Sequence, residues 1–178
     1  MAEVKSLGER LLDNGIILLS SNLESDITGS IILDLLALKA KNPTKEIQLY
    51  ISSFSADYLN VFALYDVIKS LPNPISTYCI GAVGATSVIL LGLADKGKRY
   101  MLKSSAIYFR EVLGIVNGSQ QTDIEIVANE ATRTRIAFEE ILAKQCGKDV
   151  ETIHKDLIGE RKFTAQEAIE YGLIDEVL

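Results

Sequence analysis

The residues that could do chemistry are few and widely spaced. The chain of 178 residues has one histidine, His154, and two cysteines, Cys79 and Cys146. Ser87, near the start of an apolar predicted helix, is the best candidate for a nucleophile. The only histidine that could serve it as a general base lies far along the chain on a surface-patterned helix. We therefore expect Ser87 to be packed or bonded to the backbone and His154 to be solvated.

Other patterns for catalysis or cofactor binding are weak. Neither cysteine belongs to a CxxC pair, so two reduced thiols are expected. Gly81 and Gly84 fit neither the GxGxxG nor the P-loop spacing, and no lysine follows them. A tight strand-to-helix turn explains both glycines. We expect no metal and no cofactor.

Composition indicates one compact domain, spanning residues 1–178. Nearly half of the residues are apolar, 48%, which is enough for a core, and the net charge is −6. The basic residues are scattered and form no stripe for a nucleic acid. The longest apolar run, 88–94, is far shorter than the roughly 20 residues of a membrane span. Neither nucleic acid nor a membrane is an expected partner.

Strands and helices alternate at a spacing that predicts βαβ units in a mostly parallel sheet, an α/β fold. Apolar runs predict strands at 16–19, 46–51, 75–80, 98–102 and 106–109, with a looser β segment at 113–118. Helices are predicted after Ser25 or Asp26, over 58–70, over 85–93, from 122 to Gly147, after Asp149 and after Thr164. The helix over 58–70 is predicted from the helical spacing of Leu59, Phe62, Ala63 and Val67.

The segment 79–112, CIGAVGATSVILLGLADKGKRYMLKSSAIYFREV, resembles the catalytic segment of the ClpP family of serine peptidases. Further family-like stretches are 39–50 (KAKNPTKEIQLY), 75–81 (ISTYCIG), 96–100 (KGKRY), 121–126 (QTDIEI) and 168–178 (AIEYGLIDEVL). The resemblance implies a crotonase-like α/β core with a protruding strand and long helix, called the handle. The head would be about 14–111 and 147–178, and the handle about 112–146.

The resemblance also implies that the catalytic triad is lost. Ala85 stands at the nucleophile position and Arg110 at the base position. Alanine has no nucleophilic atom, and a guanidinium stays protonated. The acid slot is Arg161, although one extra residue before Phe163 would let Glu160 enter it. The partner of Arg110 could be Glu111, Asp156 or Glu160.

The oxyanion loop departs from the family pattern as well. Where the family reads Ser-Pro-Gly-Gly-Ser, the chain reads SFSAD over 53–57, so Ser55 and Ala56 replace the two glycines. Those glycines let the backbone approach the substrate and aim an N–H group at the developing oxyanion. The sequence therefore predicts a misshapen oxyanion hole.

Such losses are typical of ClpR-type subunits, which are inactive paralogues that assemble with active ClpP. The resemblance thus implies a structural or regulatory subunit of seven-membered rings, homo- or hetero-oligomeric, in a cytoplasm or an organelle stroma such as that of a plastid. Rings would stack through the handle, with Leu113, Ile115, Val116, Ile124 and Val127 as contact residues. A Clp ATPase could dock on a pocket at Tyr50, Tyr78, Ile80, Ala37, Gln48 and Ser70.

Two alternatives remain open at this stage. The chain could be an active serine endopeptidase with displaced catalytic residues such as Ser87. It could also be an acyl-CoA enzyme of the wider crotonase superfamily, which would stabilise an enolate with two backbone N–H groups.

Overall fold

The computed structural model describes residues 5–55, 57–110 and 121–178, of which 121–124 are described by their backbone alone. Its helices are α1 (Leu7–Asp13), α2 (Ser25–Lys41), α3 (Tyr58–Ser70), α4 (Val88–Leu91), α5 (Gln121–Cys146), α6 (Val150–Ile158) and α7 (Ala165–Tyr171). Its strands are β1 (Ile16–Leu19), β2 (Ile47–Ile51), β3 (Ile75–Cys79), β4 (Ala82–Gly84), β5 (Arg99–Met101), β6 (Ala106–Tyr108), β7 (Lys162–Phe163) and β8 (Glu176–Val177). A 3-10 turn over Ala85–Ser87 joins β4 to α4.

The strands form two sheets. The first has five parallel strands in the order β1-β2-β3-β5-β8. The second has the order β4-β6-β7, in which β4 and β6 run parallel and β6 and β7 antiparallel. The prediction of a mostly parallel α/β fold is confirmed, although the three short strands β4, β7 and β8 were not predicted.

Helix α2 begins one position earlier than the capping argument predicts. Its N-cap residue is Glu24, which makes no side-chain hydrogen bond to the first turn, so the prediction of a Ser25 or Asp26 cap is wrong. The buried face consists of Thr28, Ile31, Leu35 and Leu38, close to the apolar spacing of the sequence. Burial of this face rather than a capping bond therefore positions the helix.

Helix α3 has the predicted bounds, and its fully buried residues are not the ones whose spacing predicts the helix. Val61, Leu64 and Ile68 are buried, whereas Leu59 is 75% exposed. Of the residues whose spacing predicts the helix, Leu59 and Ala63 are exposed, while Phe62 and Val67 pack partly against the core. Both faces of the helix carry apolar residues at helical spacing, so the sequence pattern does not indicate which face is buried. The side chain of Asp57 caps the helix by accepting bonds from the backbone N–H groups of Leu59 and Asn60.

The apolar segment after the 3-10 turn lies in the centre of the molecule. All four residues of α4 are buried, as the run of apolar residues predicts. Gly92 follows α4. A Cβ on this residue would stand 2.2 Å from the amide carbon of the Gln145 side chain, so the glycine leaves room for that side chain. The Gln145 amide also donates to the Ile89 carbonyl at 2.9 Å, so α5 is tied to the buried segment.

An ion pair joins β5 to the chain before β8. The Arg99 guanidinium binds both carboxylate oxygens of Asp175, at 3.0 Å from Nε and 2.5 Å from Nη2, and donates to the Gly172 carbonyl. Hydrogen bonding to Arg99 is the main reason why the pKa of Asp175 lies below its ordinary value of 3.8. Because the carboxyl ionises more readily in the folded state, the pair adds stability above pH 3.8 and loses it as the pH falls through the lowered pKa.

Replacement of Arg99 by glutamine is expected to remove this contribution. The loss of stability in Arg99→Gln relative to wild type should be largest near neutral pH and shrink below about pH 3.8, as Asp175 protonates. Urea midpoints between pH 3 and 7, at one protein concentration, measure this. Arg133→Gln, at an exposed position of α5, is the control. A difference that does not change with pH would contradict the assignment.

Within the described residues, no helix combines the length and apolar character needed to cross a membrane.

Candidate functional site

The second sheet brings the positions of the predicted triad to one edge. Gly84 pairs with Tyr108 across the parallel strands β4 and β6, so Ala85 and Arg110 both follow the carboxyl ends of adjacent strands. Across the antiparallel pair, Tyr108 faces Lys162, and the Phe109 N–H donates to the Arg161 carbonyl at 2.8 Å. Residues far apart in sequence are therefore neighbours here. The catalytic roles that the resemblance assigns to these positions remain predictions.

Ala85 has an unusual backbone for a residue with a Cβ. Its φ is +50°, in the left-handed region, and its side chain is only 5% exposed. Such a conformation costs on the order of 1–3 kcal/mol and is concentrated at functional sites. Sharp strand-to-helix turns present the nucleophile in several hydrolases. The turn is therefore of a type that can present a nucleophile, but it carries only a methyl group.

A network of buried hydroxyl groups ties the loop after β2 to the turn. The Ser87 hydroxyl donates to Ser53 Oγ at 3.0 Å and accepts from the Ser55 N–H at 3.1 Å. The Thr86 N–H and hydroxyl both donate to the Ser55 carbonyl, at 3.1 and 2.8 Å. The N–H groups of Ser55, in the loop after β2, and of Thr86, directly after Ala85, are thus already bonded. Neither is free to stabilise an oxyanion in this arrangement.

Ser87 has a structural role, as expected from the sequence. Replacing it with alanine leaves the buried Ser55 N–H without its acceptor, so Ser87→Ala should lower the free energy of unfolding by about 1–3 kcal/mol. Urea denaturation at fixed protein concentration measures the effect. Ser104→Ala, at an exposed position, is the control. An unchanged stability would show that the hydrogen bond contributes little.

The Phe54 ring covers the turn. Its ring carbon lies 2.3 Å from the place where a Cβ on Gly84 would stand, so only glycine fits beneath it. The ring also packs at an angle against Tyr108, with centroids 5.3 Å apart. Of the two predicted changes in this loop, Ser55 is 98% buried. Ala56 lies outside the described residues.

Arg110 is exposed and faces Glu160. Its Nε lies 3.7 Å from Glu160 Oε1, with side-chain exposures of 60% and 62%. Of the partners left open by the sequence, Glu160 is the one observed, while Glu111 lies outside the described residues. An exposed pair of this kind contributes at most about 1 kcal/mol. The base position thus carries a solvated cation.

Arg161, the other candidate for the acid slot, is occupied elsewhere. It donates to Asp156 at 3.2 Å and lies 4.7 Å from the Phe163 ring centroid and 5.0 Å from that of Tyr171. The Tyr171 hydroxyl donates to the same Asp156 oxygen at 2.7 Å. Burial, followed by this bond, raises the pKa of Tyr171 above its ordinary value. Asp156 therefore serves Arg161 and Tyr171 rather than Arg110.

His154 is not the solvated residue that the sequence pattern predicts. Its Nδ1 lies 2.7 Å from Oε1 of Glu139, a buried carboxylate on α5, and 2.7 Å from Nη1 of Arg135. Arg135 also donates to Glu139 at 2.7 Å. The prediction is wrong because the partner carboxylate lies 15 residues away on another helix, where α6 packs against α5.

The cysteines are poor nucleophiles here. Both are free thiols, and burial raises the pKa of Cys79 and of Cys146 to about 12. They are therefore protonated at neutral pH. In the described part of the chain, no three His, Cys, Asp or Glu side chains are grouped so that they could hold a metal ion.

Comparison with known proteins agrees with this architecture. The model of the Clp protease family matches residues 2–178. The chain belongs to the Clp protease family. Membership supports a ClpP-type subunit of a protease core, and the mixed α/β architecture with its parallel sheet is consistent with the ClpP fold. Clp protease family membership also implies oligomeric ring assembly with ClpP-type subunits.

Tyrosines line the predicted docking surface for an ATPase. Tyr50 and Tyr78 are register partners on β2 and β3, and their rings stack at 4.4 Å with an interplanar angle of 6°. Tyr100 on β5 extends the stack at 5.0 Å. Tyr100 was not among the residues predicted for this surface, although it lies in a predicted parallel strand, and the docking role stays a prediction. The remaining predicted residues lie at the half-buried Gln48 and Ile80 and at the exposed Ala37 and Ser70 of α2 and α3.

The handle prediction falls largely outside the described residues. Leu113, Ile115 and Val116 lie in the undescribed segment, and the side chain of Ile124 is not described either. Val127 on α5 is 43% exposed, and Ile126 and Ile136 on the same helix are 57% and 41% exposed. The described part of α5 thus presents apolar side chains to solvent.

Proposed function

We propose that this chain is a non-catalytic subunit of a Clp protease core. The observation that carries the proposal is Ala85, a methyl group on a strained strand-to-helix turn, where the family resemblance places the nucleophile. The nearest candidate in the described residues does not replace it, because Ser87 Oγ is buried and bonded to Ser53 and Ser55. The exposed Arg110, paired with Glu160, supplies no base.

The occupied backbone N–H groups support the same proposal. Acyl transfer requires donors placed in advance at the position of the developing oxyanion. Instead, the Ser55 N–H donates to the Ser87 hydroxyl and the Thr86 N–H donates to the Ser55 carbonyl. This arrangement also disfavours the crotonase-type alternative, since an enolate would need two free donors.

The role that follows is structural or regulatory. We propose that the chain enters seven-membered rings with active ClpP-type subunits, as ClpR-type subunits do, in a cytoplasm or an organelle stroma. A head of about 14–111 and 147–178 would form the ring, and a handle of about 112–146 would join two rings. The stacked tyrosines Tyr50, Tyr78 and Tyr100 would receive an apolar segment of a Clp ATPase.

Hydrolysis of a fluorogenic dipeptide by the purified chain tests the proposal. We expect no turnover above that of buffer. Turnover that disappears in Ser87→Ala, a variant shown by circular dichroism to be folded, would establish the alternative of a displaced serine peptidase. Turnover that survives this substitution would identify a contaminating peptidase, which repurification from a second host would remove.

A further inference from the structure

One face of the β6–β7 ribbon is exposed beside Ala85. Side chains alternate between the two faces of a strand. Ile107 and Phe109 point into the core and are buried, whereas Tyr108 is half-exposed and Arg110 is exposed. On the neighbouring strand Phe163 is buried and Lys162 is exposed. The ribbon thus turns every second residue towards solvent.

These outward residues combine aromatic rings with cations. Lys162 is the register partner of Tyr108, and its Nζ lies 5.3 Å from the ring centroid. Phe54, which is 37% exposed, also packs against the Tyr108 ring. Arg110 and Glu160 lie at its end. We call these five residues the ribbon face.

The charge of the ribbon face is opposite to that of the whole chain. Lys162 and Arg110 are cations and Glu160 is the only carboxylate among the five residues, while the chain has a net charge of −6. Among the described residues, the Lys162 ammonium lies over the Tyr108 ring and forms no ion pair with a carboxylate. Phe54 and Tyr108 add apolar area next to it. A ligand that complements this surface carries carboxylates and an apolar side chain.

We propose that the ribbon face binds acidic peptide segments without cleaving them. The inference rests on the proposed function, since a catalytic subunit would consume such a peptide. Lys162 and Arg110 bind carboxylates of the peptide, and Phe54 with Tyr108 packs against its apolar side chain. In a ring, the subunit would hold acidic parts of an unfolded chain beside its active neighbours.

Fluorescence anisotropy with a short labelled peptide of alternating Glu and Phe tests this binding. The full-length chain is expected to bind it more tightly than a peptide of alternating Lys and Phe, and added salt should weaken the binding. Lys162→Glu and Arg110→Gln are each expected to reduce the affinity for the acidic peptide about 3- to 5-fold. Phe54→Ala should reduce the affinity for both peptides by a similar factor.

Lys69→Glu is the matched control. Lys69 also lies over a tyrosine ring, 5.9 Å from the centroid of Tyr65, but at the far end of α3 from the loop that carries Phe54. The same change of charge there should leave the affinity unchanged. Lys162→Gln provides a second variant in case the glutamate disturbs folding. Equal binding by wild type and both Lys162 variants overturns the proposal.

Mass spectrometry of the peptide after incubation separates this inference from the proposed function. An intact, bound peptide supports both. An intact peptide that does not bind overturns the ribbon-face inference and leaves the non-catalytic proposal standing. A peptide cleaved by wild type and not by Ser87→Ala overturns the non-catalytic proposal.

Discussion

A variant that carries both Ala85→Ser and Arg110→His should remain at least about 100-fold less active in peptide hydrolysis than an active ClpP-type subunit, because loss of one oxyanion donor alone costs roughly 100- to 1000-fold. The new serine and histidine would still lack an aligned acid, since Arg161 binds Asp156. The Ser55 and Thr86 N–H groups would still be bonded within the loop and turn.

A third substitution isolates the effect of the loop. Adding Ser87→Ala to the double variant releases the Ser55 N–H from its acceptor. A gain in rate on this addition would identify the occupied donor as an obstacle to catalysis. The rates of the double variant, the triple variant and an active ClpP-type subunit are compared by steady-state hydrolysis of a fluorogenic dipeptide. Circular dichroism checks that each protein is folded. Rates near those of an active subunit in the double variant would contradict our account of the loop.

The second large effect is expected on assembly. Ile126 is 57% exposed on α5, and an apolar side chain so exposed is explained if α5 contacts another subunit. Ile126→Glu should then split stacked rings into single rings or smaller species, because a carboxylate would be buried without a partner. Analytical ultracentrifugation compares the masses.

Ile158→Glu is the matched control for this prediction. Ile158 is 54% exposed at the end of α6, outside the proposed handle, and the same substitution there should leave ring stacking intact. An unchanged mass in Ile126→Glu would contradict the assignment of α5 to the ring-to-ring contact. An equal loss of mass in both variants would indicate a general effect of surface charge.

Much of the fold follows from local sequence patterns, and the exceptions have physical causes. The bounds of α3 and the burial of α4 follow from the length and apolar character of their segments. The buried face of α3 does not, because apolar residues occur on both sides and packing against α2, the 3-10 turn and α4 selects Val61 rather than Leu59. Strands β7 and β8 have only two residues each, too few for a periodic signal, and β4 lies between Gly81 and Ala85 in the segment assigned to a turn.

At the candidate site as well, contacts between residues far apart in sequence could not be predicted. The sequence identifies which side chains lack catalytic atoms, since this depends on residue type alone. It left the partner of Arg110 open and missed the Glu139–His154 contact, because each depends on how distant elements pack. The hydrogen bond from the Ser55 N–H to the Ser87 hydroxyl could not be predicted from the sequence either, since the two residues are 32 positions apart.

Fluorophosphonate labelling followed by intact-mass spectrometry tests the central claim most directly. The reagent modifies an activated serine hydroxyl irreversibly, so one measurement reports whether any serine of the chain is a nucleophile. An active ClpP-type subunit labelled in parallel is the positive control. We predict that the mass of this chain stays unchanged while the control gains one adduct. Stoichiometric labelling that is lost in Ser87→Ala would contradict the account.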